Sequence, residues 1–142
     1  MSKIPRVMVG WRVLVVDDEP DSLDVARMML EMAGARVLTA TNGKEGLASV
    51  TQERPHFILS DLSMPEMDGW HMMQELNRER STADIPVIAL TAHAMSGDRE
   101  RAMQAGFVNY IPKPLDPDKF INQLLNIVTE TPELRAILPD SN

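Results

Sequence analysis

Short apolar runs alternate with longer segments of helical periodicity along most of this chain. The runs are rich in Val, Ile and Leu, which is typical of strands that are buried on both faces. We predict strands at about residues 12–16, 36–40, 56–60, 86–90 and 108–111. The intervening segments place apolar residues three or four positions apart, as amphipathic helices do.

Local signals mark where the predicted helices begin and end. Pro20 suits the first turn of a helix, Gly34 is a stop signal, and Asn42 can cap the next helix. The helices are predicted over about residues 20–33, after Asn42, after Asp68-Gly69, and over about residues 97–105 and 116–128. Strands that alternate with helices in this way indicate βαβ units around a parallel sheet.

This succession predicts an α/β fold with a doubly wound, five-stranded parallel sheet and helices on both faces. The flavodoxin-like strand order 2-1-3-4-5 would place the first and third strands side by side and the fifth strand on an edge. Pro112 cannot donate a ladder hydrogen bond, so it fits best beside an edge strand.

The two ends of the chain look different from this central part. We predict a loose lead over residues 1–10, a domain over residues 11–128, and a polar tail over residues 129–142. Thr131-Pro132-Glu133 is a good helix start, and apolar residues follow it. The tail could therefore be a short helix that packs back on the domain, or a docking segment.

Composition narrows the class of protein. The chain has 142 residues, of which 44% are hydrophobic, and this favours one globular domain. It has no cysteine, so disulfides and thiolate metal sites are excluded. We expect a cytoplasmic protein, because no leader or membrane-length apolar run is present. The net charge of −7 argues against nucleic-acid binding. The 11 methionines are expected mainly to fill the core.

Carboxylates follow two of the predicted strands directly. Asp17 and Asp18 come after the first strand, and Asp61 comes after the third. Ligands of open α/β sheets bind beyond the carboxyl ends of the strands, where the strand order reverses, so these acids should meet there. Carboxylates at such short distances repel one another, and a cluster of this kind usually needs a hard cation such as Mg²⁺.

The ends of the last two strands add a hydroxyl and an amine. Thr91 follows the fourth strand and Lys113 follows the fifth. Each side chain fits phosphoryl chemistry at a carboxylate: Asp61 could attack phosphorus to give an acyl phosphate, while Thr91 and Lys113 could contact phosphoryl oxygens. Taken singly, each residue is more often an ordinary solvated or strand-end residue, and only their joint placement favours a site.

The motifs that carry these residues resemble the receiver domain of response regulators in two-component signalling and phosphorelays. The resemblance runs from about residue 12 to residue 128. It rests on four segments in order: VLVVDDEP from Val13, SDLSMPEMDG from Ser60, LTA from Leu90 and YIPKP from Tyr110. The stretch from Thr91 to Asp98 looks most like receivers of hybrid kinases and stand-alone regulators.

The resemblance implies a role for each matched residue. Asp61 would be the phosphoacceptor, Thr91 the switch hydroxyl, Lys113 the phosphate-pairing lysine and Tyr110 the switch aromatic, with a cis bond between Lys113 and Pro114. Together with Asp61, the implied Mg²⁺ contacts are Asp18 directly, Asp17 through the outer shell, and the backbone carbonyl of Ser63.

The implied activity is signalling and not turnover of external substrates. Phosphate would come from a phosphohistidine on a sensor histidine kinase or a histidine phosphotransfer protein, and would reshape the surface of the fourth helix, fifth strand and fifth helix. We place Ala94, Met95, Met103 and Phe120 on that surface, and His93 in an exposed loop. The output would be an unknown downstream protein, and the chain a monomer or a phosphorylation-dependent homodimer.

Three other functions remain as alternatives. An aspartyl-phosphate hydrolase usually has an acid two residues after its nucleophile, where this chain has Ser63. A nucleotide-binding domain would want glycines after the first strand. The main alternative is a receiver-fold interaction module that acts without phosphate.

No output segment follows the predicted domain, so the chain is expected to be a stand-alone regulator or a receiver excised from a longer protein.

Overall fold

A computed structural model of the chain describes residues 5–92 and 97–139. The five strands are β1 Arg12–Val16, β2 Arg36–Ala40, β3 Phe57–Asp61, β4 Val87–Thr91 and β5 Asn109–Pro112. The six helices are α1 Pro20–Met32, α2 Gly43–Gln52, α3 Gly69–Arg78, α4 Asp98–Ala105, α5 Phe120–Glu130 and α6 Pro132–Ile137. His93, Ala94 and Met95, which the sequence places near the switch surface, lie outside the described residues.

The strands form one parallel sheet in the order β2-β1-β3-β4-β5. This confirms the predicted fold class, with β1 beside β3 and β5 on an edge. The residues of β3 and β4 are all buried, as expected for central strands with helices on both faces. Strands β3 and β4 each run one residue further than predicted, so Asp61 and Thr91 are themselves the last residues of their strands.

Alternate residues of each strand supply two separate cores. Val13 and Val15 of β1 pack with α1 and α5 on one face of the sheet. Leu14 and Val16 of the same strand pack with residues of α2 and α3 on the other face. This alternation follows from the two-residue period of a strand, and it decides which strand residues face α1 and α5 and which face α2 and α3.

The methionines divide between these cores and the surface. Met8, Met72 and Met73 are buried and fill the cores as expected. Met28, Met32 and Met103 are each about half exposed, at 48%, 49% and 48%. Core filling therefore accounts for only some of them.

Helix α5 begins later than the sequence predicts. Residues 116–119 form turns, in which the backbone N–H groups of Lys119 and Phe120 both donate to the carbonyl of Asp116. Phe120 is fully buried at the start of the helix. Its assignment to the switch surface is therefore wrong, because the side chain belongs to the core between the sheet and α5.

Both ends of the described chain pack on the domain near the N-terminal ends of the strands. Met8 is fully buried, and its N–H donates to the carbonyl of Ala33 at 2.8 Å, so residues 5–10 differ from the predicted loose lead. Helix α6 buries Leu134 in the same core, which is the packed-back form of the predicted tail. A Cβ placed on Gly10 would lie 3.4 Å from Cγ of Pro139, so the two segments are neighbours.

None of the helices within residues 5–92 and 97–139 combines the length and apolar character needed to cross a bilayer.

Candidate functional site

The sheet brings the predicted site residues to one edge. Asp17 follows β1, Asp61 ends β3, Thr91 ends β4 and Lys113 follows β5. The register pairs Val16 with Ser60 and Asp61 with Leu90, so the strands end at nearly the same level. One pocket at this edge is lined by these strand ends and the loops that follow them.

The ammonium group of Lys113 contacts three acids at this pocket. Its Nζ lies 3.1 Å from Oδ2 of Asp17 and 3.3 Å from Oδ2 of Asp61, and it also donates to Oε1 of Glu19. The Lys113 side chain is only 5% exposed. A buried cation within reach of three acids offsets part of their mutual repulsion.

Glu19 is a member of the site that the sequence analysis missed. Carboxylate oxygens of Asp17, Glu19 and Asp61 lie within 4.8 Å of one another. Glu19 is exposed, and its contact with Lys113 spans 94 residues of chain, so no local pattern of the sequence pairs the two. The one local feature that points to a role for Glu19 in the site is its position directly after Asp17 and Asp18.

Asp18 and Ser63, the other two predicted metal contacts, line the same pocket and are exposed. The structure thus places both at the mouth of the acidic cluster, while Asp17 lies at its base, fully buried.

Close backbone packing fixes the position of Asp61. Its Oδ1 accepts the N–H of Leu62 at 2.8 Å, and the residue is 7% exposed. The start of α3 approaches so closely that a Cβ on Gly69 would lie 2.2 Å from the carbonyl oxygen of Asp61. Only glycine fits there, and the N–H of Gly69 donates to the carbonyl of Leu62 at 3.1 Å.

Burial and charge shift the pKa of both partners at this site. Desolvation, and then the negative charge of Asp17, raise the pKa of Asp61 to about 6, although Lys113 opposes the shift. Burial alone would lower the pKa of Lys113, but hydrogen bonds to Glu19 and Asp17 and the charges of Asp17 and Asp61 outweigh it and raise the pKa. Asp61 therefore lacks sufficient positive charge around it, whereas Lys113 is firmly protonated.

The donor set fits a hard divalent cation. Within the described residues, Oδ2 of Asp17 is fully buried and accepts no hydrogen bond, although the Lys113 ammonium is near. A buried carboxylate oxygen without a hydrogen bond is costly, and a cation that binds oxygen would satisfy it. The carboxylates of Asp17 and Asp61, with Glu19 close by, are of the type that Mg²⁺ prefers.

The two predicted switch residues both contact the start of α4. Thr91 is 3% exposed, and its hydroxyl donates to Oδ2 of Asp98 at 3.3 Å. Tyr110 is half-buried on β5, and the guanidinium carbon of Arg99 lies 5.3 Å from its ring centroid. Sequence reasoning missed Asp98 and Arg99, since nothing local shows which strand the start of α4 faces. The Lys113-Pro114 bond is cis, as the resemblance implies.

Comparison with known proteins agrees with this geometry. The model of the response regulator receiver domain matches residues 13–125. The uncharacterized 14.6 kDa protein in the sodA1 3′ region of Leptolyngbya boryana is 44% identical over 116 residues, or 82% of this chain and 88% of the relative. The polar-differentiation response regulator DivK of Brucella anthropi is 36% identical over 112 residues, or 79% and 91%.

Solved structures point the same way. The receiver domain of the sensor histidine kinase PA1611 from Pseudomonas aeruginosa, which has a magnesium ion coordinated in its active site cleft, is 32% identical with a TM-score of 0.75. The match covers 85% of this chain and 99% of that one. The chain spans about half the length of several other curated relatives. On the match of most of its length, this chain belongs to the response regulator receiver domain family of two-component signalling.

Proposed function

We propose that this receiver domain accepts a phosphoryl group on Asp61 in a transfer that requires Mg²⁺. The observation that carries the proposal is the placement of Lys113, which lies within 3.3 Å of both Asp17 and Asp61 in a pocket that Thr91 also lines. An acid held beside a second acid, a fixed cation and a hydroxyl is suited to an aspartyl phosphate.

The chain's own groups divide the work of the transfer. Oδ1 of Asp61 is engaged by the N–H of Leu62, which leaves Oδ2, beside Lys113, to attack phosphorus. The bond from phosphorus to the donor's imidazole nitrogen breaks, and that nitrogen keeps the electron pair and takes a proton. Lys113 then pairs with a phosphoryl oxygen in place of the carboxylate charge. Asp17, Asp61 and their neighbours Asp18 and Ser63 would hold Mg²⁺, which would supply the charge neutralisation that phosphoryl transfer needs.

The donor is a sensor histidine kinase or a histidine phosphotransfer protein, and the output is a protein contact. Added phosphate brings about −1.5 to −2 of charge into the pocket. Thr91 turns toward it, Tyr110 moves into the space that Thr91 leaves, and the surface of α4, β5 and α5 changes. That change shifts a population between two states, which a downstream partner distinguishes.

Incubation with acetyl phosphate, with and without Mg²⁺, tests the acceptor directly by intact mass. We expect one phosphate-sized adduct on the wild type only when Mg²⁺ is present, and none on Asp61→Asn, because an amide is not a nucleophile toward phosphorus. Asp84→Asn, which changes an exposed acid on the loop before β4, is the control and should load like the wild type. A folded wild type that never loads, even from a phosphohistidine donor, would instead favour an interaction module that works without phosphate.

Thr91→Ala separates loading from switching. We expect the variant to take up phosphate on Asp61 but to lose most of the phosphate-dependent movement of Tyr110. The reason is that the Thr91 hydroxyl, which would couple the phosphate to Tyr110, is gone. Chemical shifts of β5 and α5 before and after loading provide the measurement. A full wild-type response in Thr91→Ala would contradict the switch.

A further inference from the structure

Consecutive residues at the start of α4 contact both switch side chains. Asp98 is the first residue of the helix and accepts the Thr91 hydroxyl, while Arg99 covers the Tyr110 ring. The two contacts point to different strands, Thr91 on β4 and Tyr110 on β5. One turn of helix therefore touches every side chain that the proposed switch moves.

Asp98 is itself held in place from the other side. Arg101, one turn further along α4, has its guanidinium 3.6 Å from Oδ1 of Asp98 and 4.6 Å from the ring centroid of Trp70. The Asp98 side chain is 18% exposed, so water competes for it only in part. Because the Arg101 side chain is 67% exposed, this ion pair is weak, and it is mainly the low exposure of Asp98 that keeps its carboxylate beside Thr91.

The Thr91 contact is of a kind that can be exchanged. At 3.3 Å it is longer than the usual hydroxyl to carboxylate hydrogen bond. Asp98 lines the same pocket as Asp61, so the hydroxyl could leave Asp98 for a phosphoryl oxygen without crossing the core. A phosphoryl group must therefore outcompete Asp98 for the same proton.

We propose that Asp98 and Arg99 are positioning residues that form a latch, holding Thr91 and Tyr110 in their unphosphorylated arrangement. The latch sets the resting position of the switch equilibrium, and so how strongly phosphate must bind to shift it. This inference rests on the proposed function, since it needs Asp61 to be the acceptor and Thr91 to be the switch.

The chain offers an unusually clean reporter for this equilibrium. Tyr110 is the only tyrosine among the 142 residues. Whole protein labelled with 3-fluorotyrosine therefore gives one fluorine NMR signal from the protein, that of this ring, which is followed apart from the signals of the fluoride-containing probe. Beryllium fluoride with Mg²⁺ serves as the probe, because it binds carboxylates as a phosphoryl mimic without turnover.

For Asp98→Ala we expect two linked changes. The affinity for beryllium fluoride should rise about threefold to tenfold, the range that one lost hydrogen bond gives. Without the probe, the fluorine signal should already lie part of the way toward its position in the loaded wild type. Asp98→Asn keeps an oxygen that accepts from Thr91, so it should return most of the way to wild-type behaviour.

The matched control is Glu100→Ala. Glu100 is an exposed acid in the same first turn, so its removal has the same effect on the helix dipole without touching the switch. Arg99→Ala should move the signal of the empty protein and raise affinity about twofold to fivefold, while Arg99→Lys, which keeps the cation over the ring, should do less.

The results separate the latch from the acceptor. One outcome is that Asp98→Ala matches Glu100→Ala in the fluorine signal of Tyr110 and in the affinity for beryllium fluoride, while the wild type takes up phosphate normally. In that case the latch proposal is wrong and the proposed function stands. If the wild type neither takes phosphate nor binds beryllium fluoride, the proposed function fails and the latch fails with it.

Discussion

The charge of Asp61 is the least favourable feature of the metal-free pocket. Asp61 is 7% exposed and faces a second buried acid, Asp17, and the Lys113 ammonium and the backbone N–H groups of Leu62 and Ser63 offset only part of the repulsion. A group in this position gains from anything that removes or neutralises its charge, whether a proton, a cation or substitution. The same strain on the ionised form makes cation binding and phosphoryl chemistry at this residue favourable.

Asp61→Asn should make the metal-free protein more stable at neutral pH. The pKa of Asp61 rises from an ordinary 3.8 to about 6 on folding, so the folded state holds the proton more tightly than the unfolded state. Wild-type stability contributed by this group is therefore complete below about pH 4 and is lost as the pH rises through about 6. We expect Asp61→Asn to exceed the wild type by about 1–3 kcal/mol at pH 7.5.

Denaturant unfolding in EDTA at pH 4 and pH 7.5 measures this difference. The advantage of Asp61→Asn should largely disappear at pH 4. Asp84→Asn is the control of opposite sign, since a hydrogen bond from Arg54 lowers the pKa of this exposed acid. An equal advantage for Asp61→Asn at both pH values would mean that the carboxylate's charge is not its cause.

The strand pattern predicted the site residues at the strand ends, the resemblance added Asp18 and Ser63 in the loops, and sequence reasoning missed Glu19 and Asp98. Asp17, Asp61, Thr91 and Lys113 each adjoin the end of an apolar strand, and parallel strands bring their ends together. Glu19 and Asp98 join the pocket only through contacts that the chain's local pattern does not encode.

At the scale of elements, the apolar pattern predicted nearly every strand and helix because each buries a face with its own period. The late start of α5 was not predictable in this way, since residues 116–119 carry helix-compatible side chains but form turns around the Asp116 carbonyl. Another element-scale feature, the close approach of α3 to β3, is visible only as a single glycine in the sequence.

Gly69→Ala should therefore damage the fold and the site together. Its Cβ would overlap the Asp61 carbonyl at 2.2 Å, and both groups are backbone, so α3 must move away from β3. We expect a loss of about 3 kcal/mol or more, as for other overpacked cores, with weaker Mg²⁺ binding.

Gly46→Ala in α2 provides the comparison for that variant. There the new Cβ would meet Sδ of Met72 at 2.8 Å and Cγ2 of Val16 at 3.2 Å, both of them side-chain atoms, and a methionine side chain can adjust. Alanine also favours helix over glycine by about 1 kcal/mol, so the net change should be small. Thermal unfolding of the two variants decides it, and equal destabilisation would contradict the argument.

At the scale of the whole molecule, the fold extends beyond the part that matches the family. The match ends at residue 125, and it starts at residue 13, yet Met8 and Leu134 are both fully buried in one core. The sequence left the packed-back α6 as one of two alternatives and missed the packing of residues 5–10, because each short segment is held by contacts with other elements and not by its own pattern. The ends are therefore part of the domain's stability.

Leu134→Ala should lower the stability of the whole domain. The side chain is fully buried, and deleting a buried leucine costs about 2–5 kcal/mol. Val9→Ala, which shortens a side chain that is 51% exposed, should change stability by less than about 1 kcal/mol. Denaturant titration measures both, and a Leu134→Ala protein as stable as Val9→Ala would mean that α6 is only loosely attached.

The contact between Gly10 and Pro139 has a practical consequence for engineering. Since the two end segments lie side by side at the end of the sheet opposite the acidic pocket, a flexible linker from residue 139 back to residue 5 could join them, keep Met8 in place and leave the backbone continuous. The chain could then be cut open at an exposed turn such as residues 79–82, giving a circular permutant with its original strand order in space. New ends placed there would put a fused reporter beside α3 while Asp61 kept its surroundings.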